Sequence, residues 1–254
     1  MRKKPSIIAL IPARSGSQRI KDKNIKLLNG HPLVVYSISS AIKSKIFTRI
    51  IVSTDDRHYT DIARYYGADV PFLRPKRFST DYSADIEWVK FTLEKLKKKC
   101  AVEDYFSILR QTSPFRTAET IKRAWEEFLE DGKADSLRAI EKCREHPAKM
   151  WLVDKDKNRM HPVMVNPKKR DIPWHSNQYP NLPTVYKQNA SLEITRTSLP
   201  LENNSISGQN IMPFFTRGFE GFDINDEKDW IYAEYLLAQK KVKLPEIIIK
   251  SFLK

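Results

Sequence analysis

Apolar residues run unbroken from Ile7 to Ile11, between Ser6 and Pro12. A run of that length, apolar at both alternating positions, predicts a strand over Ser6–Ile11 that is buried on both faces, as in a parallel sheet covered by helices. A polar stretch, Ala13–Asn24, follows; Pro32–Phe47 then reads as a helix and Arg49–Ser53 as a second buried strand. Arg57–Tyr66 sets Tyr59, Ile62, Ala63 and Tyr66 on one helical face, with Gly67 as its stop. Asp85–Lys99 carries Ile86, Val89, Leu93 and Leu96 at helical spacing, and Tyr105–Leu109 is another strand. Thr117–Asp131 is a helix buried through Ile121, Ala124, Trp125, Phe128 and Leu129. Repeated strand–helix units predict a parallel sheet sandwiched by helices.

After Ala134–Ile140, a further strand, the alternation is lost. Met150–Val165 reads as a hairpin around a polar Asp154–Asn158 turn, and Asn166–Pro183 is proline-rich and irregular. Regular structure returns with strands at Val185–Ile194 and Ile211–Phe215, then a helix from about Asp226 to Lys240 that opens on acids and ends on lysines. The pattern describes one domain over residues 1–254 with an insertion at about 145–183. That insertion carries Met150, Trp151, Met160, Met164, Trp174 and Tyr179, more apolar side chains than an exposed arm tolerates. It predicts a homodimer contact through the arm, with packing of the arm on its own core as the alternative.

Of the 254 residues 41% are hydrophobic and 11% aromatic, which excludes a disordered chain. No apolar stretch approaches the length of a membrane span, and Ile7–Ile11 is too short for a signal-peptide core. Cys100 and Cys143 fit neither a metal spacing nor a disulfide framework, which points to a reducing, cytoplasmic location. The formal charge of +14 attracts phosphorylated small molecules, nucleic acid or anionic lipid. Its clusters, Arg2–Lys4, Lys95–Lys99, Lys168–Arg170 and Lys240–Lys243, are scattered. Those at 95–99 and 240–243 fall at the C-terminal ends of expected helices, where they complement the dipole. Nucleic acid and membrane are therefore disfavoured as partners against small anionic substrates.

Ligands of open α/β sheets bind beyond the carboxyl ends of the strands, which singles out Ala13–Asn24. The loop is neither GxGxxG nor a P-loop. Gly16 lets the backbone approach a ligand, Ser15 and Ser17 offer hydroxyls, and Arg14, Arg19, Lys21 and Lys23 offer charge-assisted donors. These residues suit a triphosphate, and they equally suit a solvated basic loop. Gly221–Asp226 is a short segment ending in acidic and amide side chains just before a helix. Asp223 there suits Mg²⁺, with Asn225 or Asp226 taking the helix N-cap. His31, His58, His161 and His175 have no partners at metal spacing, and no nucleophilic triad motif is present.

Taken together, Ile8–Ser17, Lys23-Asn24, Ile51–Asp56, Leu73–Pro75 and Thr112–Arg116 resemble the cytidylyltransferases that make CMP-activated acidic sugars. These are the acylneuraminate synthetases and their relatives for other nine-carbon 2-keto-3-deoxy sugar acids of the sialic, legionaminic or pseudaminic type, and the resemblance runs over about residues 6–240. It implies an α/β fold, a three-layer α/β/α sandwich with a mostly parallel sheet of the nucleotide-diphospho-sugar transferase type, plus an inserted hairpin arm for dimerisation. It further implies CTP and an acidic sugar as substrates, pyrophosphate as co-product and Mg²⁺ as cofactor. Nucleotide contacts are implied for Ala13, Arg14, Ser15, Gly16, Ser17, Arg19, Lys23, Asn24, Arg74 and Asp85. Sugar contacts are implied for Arg110, Gln111, Thr112, Lys149, Tyr186, Gln188 and Asn189. Asp223 and Asn225 would face the metal, and Arg14, Lys23 and Asp223 would carry catalysis.

The chain also departs from the resembled pattern. Gln18 stands where lysine is usual, Arg110-Gln111 where Gln-Pro is typical, Tyr179 where arginine is frequent and Ala190 where glycine is usual. Asn225 replaces a second carboxylate. The sugar pocket is thus altered more than the CTP loop. Two alternatives stay open: a synthetase for the eight-carbon 3-deoxy-manno-octulosonate, favoured by Ser17-Gln-Arg, and a non-catalytic basic nucleic-acid-binding protein on the same fold.

Overall fold

The computed structural model describes residues 5–99, 102–168 and 171–252. Cys100, the Arg2–Lys4 cluster and part of the 168–170 cluster lie outside the described residues. In chain order the elements are β1 (Ile7–Pro12), β2 (Leu27–Leu28), β3 (His31–Pro32), α1 (Leu33–Ser44), β4 (Ile50–Ser53), α2 (Arg57–Tyr65), α3 (Asp85–Lys97), β5 (Tyr105–Ile108) and α4 (Ala118–Asp131). They continue with β6 (Ser136–Lys142), β7 (Trp151–Asp154), β8 (Arg159–Pro162), β9 (Tyr186–Arg196), α5 (Ser198–Glu202), β10 (Ile211–Phe215) and α6 (Glu227–Ala238). The chain divides into two compact units, Ile140–Gln188 and the remainder on either side of it.

In the larger unit a six-stranded sheet has the order β10-β6-β9-β5-β1-β4. β1 pairs in parallel with β4 and with β5, and β9 runs antiparallel to β5, so the mostly parallel sheet is mixed. β1 explains the layering by itself. Its residues Ile7, Ala9 and Ile11 join one core with side chains of α1, α2 and α4, while Ile8 and Leu10 join a second core with Trp88, Val89, Leu93 and Leu96 of α3. A strand that buries both faces needs helices above and below, and the sandwich is the result. A third cluster packs Trp230, Ala233 and Leu236 of α6 on Leu28, Leu33, Tyr36 and Phe115.

Two helices end earlier than their sequence pattern suggests. α1 stops at Ser44 because Lys45 turns left-handed at φ 56, so Ile46 and Phe47 leave the helix. α6 stops at Ala238, with Lys240 left-handed at φ 53 and the amides of Lys240 and Lys241 closing on Leu237 and Leu236 carbonyls. That closure is a Schellman motif built without glycine, and it puts Lys240–Lys243 beyond the helix, so these lysines do not cap it from within its last turn. The β2–β3 pair is absent from the sequence expectations, although Asn29-Gly30 between apolar residues is a hairpin signal.

The smaller unit contains the expected hairpin: Trp151 pairs with Pro162 and Asp154 with Arg159. His146 organises its base, with Nε2–H donating to the Pro183 carbonyl at 2.7 Å and Nδ1 accepting from Ala148 N at 3.1 Å.

Candidate active site

The connection from β1 leads to β4 on one side, while β5 lies on the other, so the order reverses between β1 and β5. Loops leaving the carboxyl ends of these two strands flank a crevice, the usual ligand position in such sheets. Asn24, buried at 1% exposure, ties them together. Its Nδ2 donates to the Arg14 carbonyl at 2.8 Å, and its Oδ1 accepts from Gln111 Nε2 at 2.7 Å. Asp55, just past β4, fixes the start of the first loop by accepting from Ser15 N at 2.8 Å and Ser15 Oγ at 2.9 Å. Gly16 follows at φ +72, a left-handed turn that side chains disfavour.

A cleft of about 390 Å³ opens above, lined among others by Arg14, Arg19, Lys23, Arg74, Asp85, Arg110, Gln111, Thr112, Ala190, Asp223 and Asn225. A smaller recess of about 140 Å³ beside it is lined by Ser17, Gln18, Arg19, Lys23, Asn24 and Gln111. Residues separated by two hundred positions in the chain thus meet in one place. Arg14 donates to the Ser79 carbonyl at 3.2 Å and pairs with Asp81. Lys23 Nζ donates to the Ile224 carbonyl at 2.8 Å. Burial lowers the Lys23 pKa, Arg19 and Arg14 push the same way, and Asp223 and Asp229 oppose them.

Arg74 is 4% exposed, stacks its guanidinium 4.7 Å over the Trp88 ring, and bonds Ser53 through Nε at 3.0 Å and Nη2 at 2.6 Å. Burial brings its pKa down to about 10, against the pull of Asp55 and Asp85. Asp85 opens α3 and accepts from Trp88 Nε1 at 2.8 Å and Arg110 Nη2 at 2.5 Å. Burial pushes its carboxyl up, but the Arg110 charge, both hydrogen bonds and Arg74 outweigh that and leave it below the usual 3.8.

Asp223 and Asn225 also line the cleft, next to Lys23. Asp223 Oδ2 accepts from Asn225 Nδ2 at 2.7 Å, while Oδ1 is buried without a hydrogen-bond partner among the described residues. A buried carboxylate oxygen with no donor is costly unless something positive meets it. Asp226 is the N-cap of α6, accepting from Lys228 N at 2.9 Å and Asp229 N at 3.2 Å, which leaves Asn225 free of that task. No group of three or more acidic, histidine or cysteine side chains converges anywhere among the described residues. One carboxylate with an unpartnered oxygen on a cation-lined cleft fits a hard cation such as Mg²⁺, which takes one or two carboxylates together with substrate phosphates.

Of the residues expected at the sugar, Arg110, Gln111 and Thr112 line the cleft. Asn189 on β9 donates to Thr216 Oγ1, just past β10, at 2.8 Å and accepts from Ser191 N at 3.1 Å, and its neighbour Ala190 lines the cleft. Lys149, Tyr186 and Gln188 belong to the smaller unit, where Lys149 Nζ donates to the carbonyls of His175 at 2.8 Å and Asn177 at 2.6 Å. The sequence reading missed Asp55, Asp81, Trp88 and Glu193. Asp55 stands in the quoted Ser-Thr-Asp-Asp segment and could have been read as a loop anchor; the others carry no local signal.

A mostly parallel α/β sandwich with a cation-lined cleft at its switch point has the form of the nucleotide-using α/β enzymes. The profile of the family described as Cytidylyltransferase matches residues 8–197, and the chain belongs to that family, whose members are CTP-dependent nucleotidyltransferases. It is 34% identical over 91% of its length to a CMP-N,N'-diacetyllegionaminic acid synthase of Legionella pneumophila, spanning 96% of that protein. It is 42% identical to an N-acylneuraminate cytidylyltransferase of Escherichia coli over 46% of this chain and 27% of that one. A solved CMP:2-keto-3-deoxy-manno-octonic acid synthetase complexed with CTP has the same fold, with TM-score 0.66 at 14% identity, covering 92% of this chain and 99% of that one.

The Asp85–Arg110 pair has a pH signature. A carboxyl held below 3.8 in the folded chain contributes stability that is complete above 3.8 and is lost as pH falls through the lowered value. Urea unfolding from pH 6 to pH 3 should therefore show a shallower acid decline in Asp85→Asn than in the parent protein; parallel declines would remove the pair from the acid response.

Proposed function

We propose that the protein transfers CMP from CTP to a 2-keto-3-deoxy nine-carbon sugar acid of the legionaminic, pseudaminic or sialic type, releasing pyrophosphate. The observation that carries this reading is the convergence of Arg14, Arg19 and Lys23 with the unpartnered Asp223 oxygen on one cleft of a cytidylyltransferase fold. Relatives matching nearly end to end are named for diacetyllegionaminic acid, which favours nine carbons over eight.

In this reading the anomeric hydroxyl of the sugar acid attacks the α-phosphorus, an O–P bond forms as the hydroxyl proton passes to solvent, and the bond from that phosphorus to the bridging oxygen breaks as pyrophosphate leaves. Arg14, Arg19 and Lys23 hold the triphosphate and meet the charge that grows on the leaving group. Asp81 must give up Arg14 as phosphate arrives, so one anion replaces another. The backbone of Gly16 and Ser17 and the Ser17 hydroxyl follow the phosphates on a loop held in place by Ala13 and Ser15, Asn24 ties the loops beside the cytosine and ribose, which Arg74 serves, and Asp85 fixes the guanidinium of Arg110. Arg110, Gln111 and Thr112 face the sugar acid. Asp223, with the Asn225 amide beside it, would hold Mg²⁺, which when bound would supply positive charge to the triphosphate. Positioning and charge stabilisation suffice for such a reaction.

The smaller unit supports a homodimer. Leu152, Val153, Met160, Val163, Val165 and Ile172 are each at least 50% exposed, and an isolated two-stranded hairpin with apolar faces gains stability by covering them. A cytoplasmic location belongs to the same reading, and no helix among the described residues is long and apolar enough to cross a membrane.

Pyrophosphate release should appear with CTP alone among the four nucleoside triphosphates, and with one nine-carbon acid from a panel that includes 3-deoxy-manno-octulosonate. Preference for the eight-carbon acid would replace the substrate class. Arg14→Ala should lower kcat by about a hundredfold or more with little change in melting temperature, and Asp223→Asn should raise the Mg²⁺ concentration needed for half-maximal rate; an unchanged metal requirement would move the ligand elsewhere. Leu152→Asp with Val153→Asp should shift sedimentation from dimer to monomer, and a monomeric parent protein would end the dimer reading.

A further inference from the structure

Glu193 is an acid in the interior of the sheet. It is 2% exposed and lies opposite Ile108 of β5 in the antiparallel register. A carboxylate that far from water persists only with charged partners, and Glu193 has one on each side. Its Oε1 accepts from Arg110 Nη2 at 2.9 Å, and its Oε2 is ion-paired with Nη1 of Arg138 on β6. Arg138 is itself tethered, Nη2 donating to the Ile206 carbonyl at 3.0 Å and to Ser207 Oγ at 2.6 Å. Arg110 Nη2 also meets Asp85 Oδ2 at 2.5 Å. Charges alternate in sign from Arg138 through Glu193 and Arg110 to Asp85, running from the sheet to the cleft.

Both carboxylates take the same nitrogen of Arg110. Its Nε and Nη1 carry no hydrogen bond among the described residues, and Arg110 lines the cleft. With Nη2 taken by both carboxylates, the Nη1 N–H groups are the guanidinium donors left for an incoming anion, each able to make a charge-assisted hydrogen bond to a carboxylate oxygen.

Resting on the reaction proposed above, we propose that Glu193, backed by Arg138, is a positioning residue that holds Arg110 by Nη2 and leaves its Nη1 to donate to the carboxylate of the acidic sugar. Asp85 completes the clamp from α3. A guanidinium held from two sides does not swing with the substrate, so Nη1 is set before the sugar arrives.

The test is a double-mutant cycle with Arg110→Gln and Glu193→Gln, read as KM for the sugar acid, KM for CTP and kcat, with melting temperature as the folding control. Each single variant should raise the sugar-acid KM about tenfold while the CTP KM stays unchanged, and the double variant should be no worse than Arg110→Gln alone. Costs that multiply in the double variant, or a Glu193→Gln that leaves the sugar-acid KM unaltered, would overturn the proposal. If Glu193→Gln does not fold, Glu193→Asp replaces it in the same cycle, with the charge kept and the reach shortened. An active parent enzyme with multiplying costs rejects this inference alone. A folded parent inactive with every sugar acid rejects it together with the reaction on which it rests.

Discussion

The cleft depends on one buried amide. Asn24 donates to the loop that follows β1 and accepts from the loop that follows β5, while its own carbonyl accepts from Val34 N at 2.9 Å at the start of α1. A side chain there must be donor and acceptor at once, and a carboxylate or an aliphatic residue would leave one of those loops unpaired in the interior. Asp55 clamps the same loop from β4 through Ser15. Between these two holds, Gly16 takes a left-handed turn at φ +72 with open space where a side chain would stand.

Held in that frame, the cations are placed where charge is expensive. Lys23 rests on a neutral carbonyl, Arg74 on Ser53 and the Trp88 face, and burial lowers both pKa values. A group whose charged form is disfavoured by its surroundings gains most when an anion arrives, so the same burial that costs stability strengthens anion binding. Arg116 shows the contrast. It is fully buried, its pKa is brought down to about 9 by desolvation with no carboxylate nearby, and it bonds the carbonyls of Arg110 and Ser191 and the Ser37 hydroxyl at 2.6 Å. Its Nη1 and Nη2 fasten the 110–116 loop to β9 and α1, while Nε has no hydrogen-bond partner among the described residues, and so it fixes the ground on which Arg110 stands.

Much of this was legible in the chain. Period and length located β1, α2, α4 and the hairpin at Trp151–Pro162, because those segments bury or expose side chains in the rhythm of their own backbone. Helix ends were less readable: Lys45 and Lys240 adopt left-handed turns that sequence assigns to glycine or asparagine. The basic loop was readable as chemistry only in company with the distant Thr112–Arg116 and Gly221–Asp226 segments, since its charges alone also describe a solvated loop. Asp81, Glu193 and Arg138 were not readable at all. Each acts through a partner far away in sequence, and nothing in the local pattern of β6 or β9 announces an ion pair inside a sheet.

The direction of β9 accounts for that last failure. Ligands are expected beyond the carboxyl ends of strands because helices after parallel strands leave the crevice there. β9 runs against β5, pairing Glu193 with Ile108 and Arg196 with Tyr105, so its amino end is the end that reaches the cleft. Ala190 therefore borders the cleft while Glu193, three residues further along the strand, is buried inside the sheet. An antiparallel strand thus brings a buried acid under the floor of the site, a position that the residues following a parallel strand do not occupy.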